Sequence, residues 1–232
     1  MKIIDYADAE MMAIHLANVL AGELRTALRA TERVLFVVPG GTTPGPVFDA
    51  LCDAQLDWAR VDVLLSDERW RPEVHVRSNT RQVRERLLTG RAAAARYLPL
   101  YAKAETPEAV LAELEAGISP ALPIDICLLG MGTDLHVASL IVGADRLDEA
   151  LDRRAPILVP MRIPDAPEPR VTLSARVLDG AISKHLMITG QAKRDAVERA
   201  RHMAPRDAPV AAVLDDMTVH WALDTGEESD EE

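Results

Sequence analysis

The feature that most constrains this chain is a set of short apolar runs that do not alternate with polar residues. RVLFVVPGG, VDVLLSDERW, PIDICLLGMG and KHLMITG each hold three to five consecutive apolar positions and then run into glycine or charge within two residues. A strand with one wet face alternates, whereas an unbroken run belongs to a strand covered on both faces, as in a parallel sheet between helix layers. The intervening segments supply those helices. Residues 7–30 place Met12, Leu16, Val19, Leu20 and Leu24 at helical spacing. TPGPVFDALCDA opens with helix-start residues, SNTRQVRERLL offers Ser78 as a cap, and TPEAVLAELEAGI offers Thr106; QAKRDAVERA follows KHLMITG. APILVPM is a further strand, and TVHWALD closes the sheet.

This order predicts an α/β fold: one Rossmann-like domain over residues 1–226, a mostly parallel sheet with helices on both faces. Residues 227–232, which carry five acids, are expected to form an acidic, disordered tail. At 232 residues one core suffices, and with only 3% aromatics that core is aliphatic. The net charge of −11 opposes nucleic-acid binding, although a small anion remains compatible with local arginines. Cys52 and Cys127 read as buried free thiols. Neither a membrane-length apolar run nor a signal peptide is present, which predicts a cytoplasmic protein; no sequence feature specifies the oligomeric state.

In open α/β sheets ligands bind at the carboxyl ends of strands. Four strand ends here carry glycine and charge: PGGTTP, SDERW, GMGTDLH and TGQAK. PGGTTPG (39–45) makes an anion cradle from unshielded N–H groups of Gly40 and Gly41 with Thr42 and Thr43, or a plain turn. GMGTDL lacks the third glycine of a dinucleotide fingerprint. SDERW gathers Asp67, Glu68 and Arg69, with Arg77 beyond; either arginine suits a phosphate. Of six histidines, His136 is the candidate base, with Asp134 close enough to orient it; as a plain alternative it caps the next helix. His75 lies in a charged, exposed loop, while His185, His202 and His220 have no flanking polar cluster. Lys193 stands near a helix start, and Arg170 follows the Pro-rich loop IPDAPEPR.

Taken together, PGGTTP, SDERW with RSN, GMGTDLHVASL, PRVTLS and TGQAK resemble, in order, the motifs of the 6-phosphogluconolactonase family. The resemblance implies a single α/β domain related to sugar-phosphate isomerases and deaminases, with no metal and no cofactor. The implied reaction is hydrolysis of 6-phosphoglucono-δ-lactone to 6-phosphogluconate in the oxidative pentose phosphate pathway, with this sugar-phosphate lactone as the small-molecule partner. It implies that His136 activates water and Asp134 orients it. Gly40, Gly41, Thr42 and Thr43 would line the pocket with Asp67 and Glu68, and Arg69, Arg77, Arg170 and Lys193 would hold the phosphate. The chain departs from the family at Leu135, where a glycine is usual, at Val137 for threonine, and at Ile141-Val142 for Phe-Pro. Two rival readings are a non-catalytic sugar-phosphate-binding paralogue and a glucosamine-6-phosphate deaminase. The deaminase would require a glutamate where this chain continues ASLIVGAD.

Overall fold

The computed structural model describes residues 1–223; the expected domain boundary at 226 and the acidic tail lie outside them. In chain order the elements are β1 (Lys2–Tyr6), α1 (Ala9–Ala30), β2 (Val34–Val38), α2 (Gly45–Leu51), β3 (Val61–Leu65), β4 (Asp67–Arg69), α3 (Asn79–Arg86) and β5 (Arg96–Leu98). There follow α4 (Leu111–Ile118), β6 (Ile126–Gly130), α5 (Leu147–Leu151), β7 (Leu158–Met161), β8 (Arg170–Leu173), α6 (Ala175–Asp179), β9 (Ser183–Thr189), α7 (Gln191–Ala200) and β10 (Thr218–Ala222).

The seven-stranded sheet has the order β1-β10-β9-β6-β2-β3-β5, and its pairings are all parallel. Every residue of β2 and β3 is buried, so both faces are covered, as the unbroken apolar runs require. α1 begins where the sequence places it: Asp8 caps it by accepting from the Met11 amide at 2.7 Å. Its apolar stripe of Met12, Leu16, Leu20 and Leu24 is buried. Cys52 and Cys127 are buried and free, and complete burial pushes the Cys127 thiol up to about 12.

Four expectations need correction. β10 does not close the sheet; β1, formed by the unremarked KIIDY, pairs outside it at the edge. APILVPM supplies β7, which joins a second, antiparallel sheet of order β4-β8-β7 and not the parallel one. The charged DER after β3 is itself a strand, β4. Thr106 precedes a 3₁₀ turn and makes no side-chain cap bond; α4 starts later, at Leu111, because Val110 adopts a non-helical conformation.

The fold also assembles histidines that are far apart in sequence. Tyr6 Oη lies 2.7 Å from His15 Nδ1 and 2.8 Å from His220 Nδ1. His220 Nε2 meets His185 Nδ1 at 3.0 Å, and His185 Nε2 meets Glu23 Oε2 at 3.0 Å. The chain of contacts ties α1 to β1, β10 and β9. Burial, reinforced by the neighbouring His185 and His15, pulls His220 down to about 3.

Candidate active site

Strand order alone locates a crevice. From β2 the chain steps to β3 and then β5 on one side, and returns to place β6 on the other. β2 and β6 are therefore adjacent strands whose onward connections diverge, the arrangement that opens a cleft at their carboxyl ends. The loop after β2 carries Gly40, Gly41, Thr42 and Thr43, and the loop after β6 carries Asp134 and His136.

Sequence dictates both loops sterically. A Cβ on Gly40 would come within 2.1 Å of the Asn79 side chain, and Gly41 has φ +87°, so neither position accepts a side chain without strain. A Cβ on Gly132 would lie 2.3 Å from His136 Nδ1 and 2.4 Å from Asp134 Oδ1, so this glycine makes room for the pair above it. The turn closes through the Gly132 amide to the His136 carbonyl at 3.1 Å and the Leu135 amide to the Gly132 carbonyl at 3.1 Å. His136 Nδ1 sits 2.6 Å from Asp134 Oδ1. Their hydrogen bond holds the Asp134 carboxyl below its ordinary value. A carboxylate on Nδ1 fixes the tautomer with the proton on that nitrogen. Nε2, which makes no hydrogen bond among the described residues, is then the basic atom.

Leu135 takes the left-handed conformation, φ +68°, that a glycine adopts freely. Its side chain does not enter the crevice: it is buried, 7% exposed, within the main core, and its carbonyl accepts from the Val210 amide at 3.0 Å. The backbone therefore keeps the conformation suited to glycine, and the leucine anchors the loop from beneath.

The three-stranded sheet grows from the end of β3, where the Ser66 amide reaches the Val38 carbonyl at 2.8 Å and the Leu173 amide reaches Ser66 at 2.9 Å. Its register sets Arg69 directly opposite Arg170. Like charges facing across strands repel, and the Nε atoms of both arginines are buried without a hydrogen-bond partner. Burial lowers the Arg170 pKa, Arg69 and Arg77 add to this, and Asp67 and Glu168 oppose it. Two facing arginines whose buried Nε donors lack a partner have the chemistry to bind an anion.

The remaining sequence-picked residues fall into different roles. Asp67 is buried; it accepts from Ser139 Oγ at 2.6 Å and from Ser66 Oγ at 3.1 Å, fastening the His136 loop to β4. Glu68 is fully buried and its carboxylate receives Ser78 Oγ, Thr80 Oγ1 and the amides of Arg69, Asn79 and Thr80. Burial raises its pKa against those donors, and the group serves as the anchor of the α3 N-terminus and not as a surface for ligand. Arg77 pairs with Glu168 at 3.0 Å, and Arg71 pairs with the same carboxylate at 3.2 Å. His75 is half-buried, not exposed, because its Nδ1 accepts the Arg77 amide at 3.1 Å. Lys193 stands in the first turn of α7 after Gly190, φ +82°, with no partner among the described residues. β9 pairs with β6, which sets this helix start beside the His136 loop. Sequence reasoning missed Asn79, Ser139, Thr172 and Glu168. Asn79 was visible in the RSN segment, whereas Glu168, an acid inside a Pro-rich loop, gave no signal.

A histidine–aspartate loop and a pair of facing arginines near the switch point of a parallel sheet define an α/β protein whose crevice is suited to an anionic small molecule. The chain belongs to the family described as glucosamine-6-phosphate isomerases/6-phosphogluconolactonase, which it matches over residues 7–221. It is 42% identical over 224 residues to the 6-phosphogluconolactonase of Pseudomonas aeruginosa strain PAO1, covering 93% of this chain and 92% of that one. It is 35% identical over 228 residues to that of Pseudomonas putida, covering 95% and 92%. The crystal structure of a 6-phosphogluconolactonase from Shewanella baltica superposes with a TM-score of 0.91 at 30% identity, covering 96% of this chain and 97% of that one.

Proposed function

We propose that this protein hydrolyses 6-phospho-D-glucono-1,5-lactone to 6-phospho-D-gluconate with water activated by His136. The observation that carries the reading is the His136–Asp134 pair at 2.6 Å with Nε2 unengaged, on the loop that Asp67 fastens to the strand bearing Arg69. Relatives named 6-phosphogluconolactonase over nearly the whole chain support it.

The chemistry follows from the groups. Arg69 and Arg170 take the phosphate, which satisfies their buried Nε donors, and Lys193 adds a third charge. Nε2 of His136 removes a proton from water as its oxygen attacks the lactone carbonyl carbon, and Asp134 stabilises the imidazolium. The Gly40–Gly41 amides are suited to receive the developing oxyanion; a donor of this kind is worth ~10²–10³ in rate. Collapse of the tetrahedral intermediate breaks the bond to the ring oxygen, which recovers the proton from His136. A lactone is an activated ester, so no covalent nucleophile is required; Ser139 is buried and engaged with Asp67.

The test is hydrolysis of freshly generated lactone coupled to 6-phosphogluconate dehydrogenase, with the spontaneous rate subtracted. Turnover in the parent that vanishes in His136→Ala, while 6-phosphogluconate still raises the melting temperature of both, supports the assignment. An unchanged rate in His136→Ala refutes the role of the base, and absence of turnover in the parent makes the protein a sugar-phosphate binder.

A further inference from the structure

We propose that Arg25, Arg29 and Arg91 form a second anion site, at the opposite end of the sheet from His136, for a small ligand bearing clustered negative charge, such as an organic diphosphate. An open depression of about 570 Å³ lies there, lined by these three residues together with Arg60, Asp57 and Leu28. It lies between the C-terminal end of α1, which feeds β2, and the 3₁₀ turns at Trp58–Arg60 and Gly90–Ala94, which precede β3 and β5. These are the amino ends of three adjacent strands, so the cavity is remote from the catalytic crevice.

Arg60 has structural work and two kinds of partner. Arg60 donates to the carbonyls of Leu28 at 2.8 Å, Thr31 at 2.6 Å and Glu32 at 2.7 Å, closing the end of α1, and lies 3.8 Å from Asp57. Arg29, in the last turn of α1, also suits the helix dipole. Neither argument reaches Arg25, a turn earlier on the same face, or Arg91, which arrives from another segment. Arg25, Arg29 and Arg91 have neither a carboxylate nor a carbonyl partner among the described residues. In a chain of net charge −11, where acids outnumber Lys and Arg by 37 to 26, three unpaired guanidinium groups around one cavity are not an average surface. Asp57 is the single acid in the lining and is matched by Arg60, so the three act as unneutralised charge toward a ligand. Guanidinium forks select phosphate and similar oxyanions, and buried Leu28 gives the cavity an apolar floor.

The test is calorimetric titration with pyrophosphate in magnesium-free buffer, with saturating 6-phosphogluconate present to occupy the catalytic crevice. The parent is compared with Arg25→Gln/Arg91→Gln and with a charge-matched control, Arg153→Gln/Arg154→Gln, on an exposed turn elsewhere. All four side chains are exposed, so both variants should melt near the parent temperature, and lactone turnover without pyrophosphate should be unchanged. The expected result is binding by the parent and the control, with at least tenfold weaker binding by Arg25→Gln/Arg91→Gln. Three outcomes overturn the proposal: no heat from the parent at millimolar pyrophosphate, equal affinity in Arg25→Gln/Arg91→Gln, or an equal loss in the control, which would indicate net charge alone.

Discussion

Replacing Leu135 by glycine and by alanine separates two opposing effects at one position. The left-handed φ of +68° costs a non-glycine residue ~1–2 kcal/mol. The side chain, 7% exposed in the core, repays that: truncating a buried leucine to alanine costs ~2–5 kcal/mol. Leu135→Ala loses the packing and keeps the strain. Leu135→Gly loses the packing, gains unfolded-state freedom of ~0.5–1 kcal/mol and sheds the strain. Both variants should therefore be less stable than the parent by ~2–4 kcal/mol. The glycine variant should equal or exceed the alanine variant, the reverse of their usual order away from positive φ. Urea unfolding followed by the fluorescence of the buried Trp58, Trp70 and Trp221 gives the ranking from midpoints at constant m. With His136 next in sequence, loosening the loop should lower kcat about tenfold and leave KM within twofold, because the arginines stand on other strands. An alanine variant clearly more stable than the glycine variant would refute the strain argument, and a glycine variant as stable as the parent would refute the anchoring role.

Asp134→Asn should keep the fold, since the residue is exposed, and lower kcat by ~10²–10⁴ by losing the tautomer and imidazolium support; a kcat within threefold of the parent would remove Asp134 from the mechanism. Arg170→Met should raise the melting temperature of the free protein by relieving the Arg69–Arg170 opposition, and raise KM at least tenfold; a lower melting temperature with unchanged KM would contradict the anion-site reading. Acid should unfold the protein through His220. With its value near 3 against an ordinary 6.5, the unfolded chain takes up a proton that the fold refuses as pH drops below 6.5. About 2 kcal/mol should be gone by pH 5, and the loss should continue toward pH 3. His220→Leu, measured by urea midpoints from pH 7 to 5, should show a flatter slope, and an unchanged slope would place the titration elsewhere.

The fold was legible where burial imposes composition. β2, β3, β6 and β9 announced themselves because a strand covered on both faces is mostly apolar, even with Asp62 in β3 and Lys184 and His185 in β9, and α1 because its stripe repeats at helical spacing. The edges were not: KIIDY alternates weakly, and RYL in β5 is too short to carry a pattern. The antiparallel sheet escaped notice because DER and RVTL look like a charged turn and a loop end until their pairing is seen. The candidate site was legible as strand ends, which brought His136, Asp134, Arg69 and Lys193 into view, while Arg170 came into view after the Pro-rich loop. Roles were harder to read than places. Glu68 has the same appearance in sequence as Arg69, and only the fold reveals that α3 consumes its carboxylate. The histidine chain under α1 joins residues up to 214 positions apart, a relation that no local window contains.

The Asp67 fastening has a consequence for selectivity. Ser139 Oγ, three residues beyond His136, is held at 2.6 Å by a carboxylate two residues before Arg69, and the Ser139 amide is held at 3.2 Å by Thr172 Oγ1, two residues beyond Arg170. On the proposed assignment, base and phosphate grip are mounted on one stiff frame, and the distance between them would work as a gauge. A lactone whose phosphate and carbonyl stand at the gauge length meets water and charge together. One that is a carbon shorter, or that lacks the phosphate, would reach one end and miss the other, so under this proposal the frame measures the substrate before any group reacts with it.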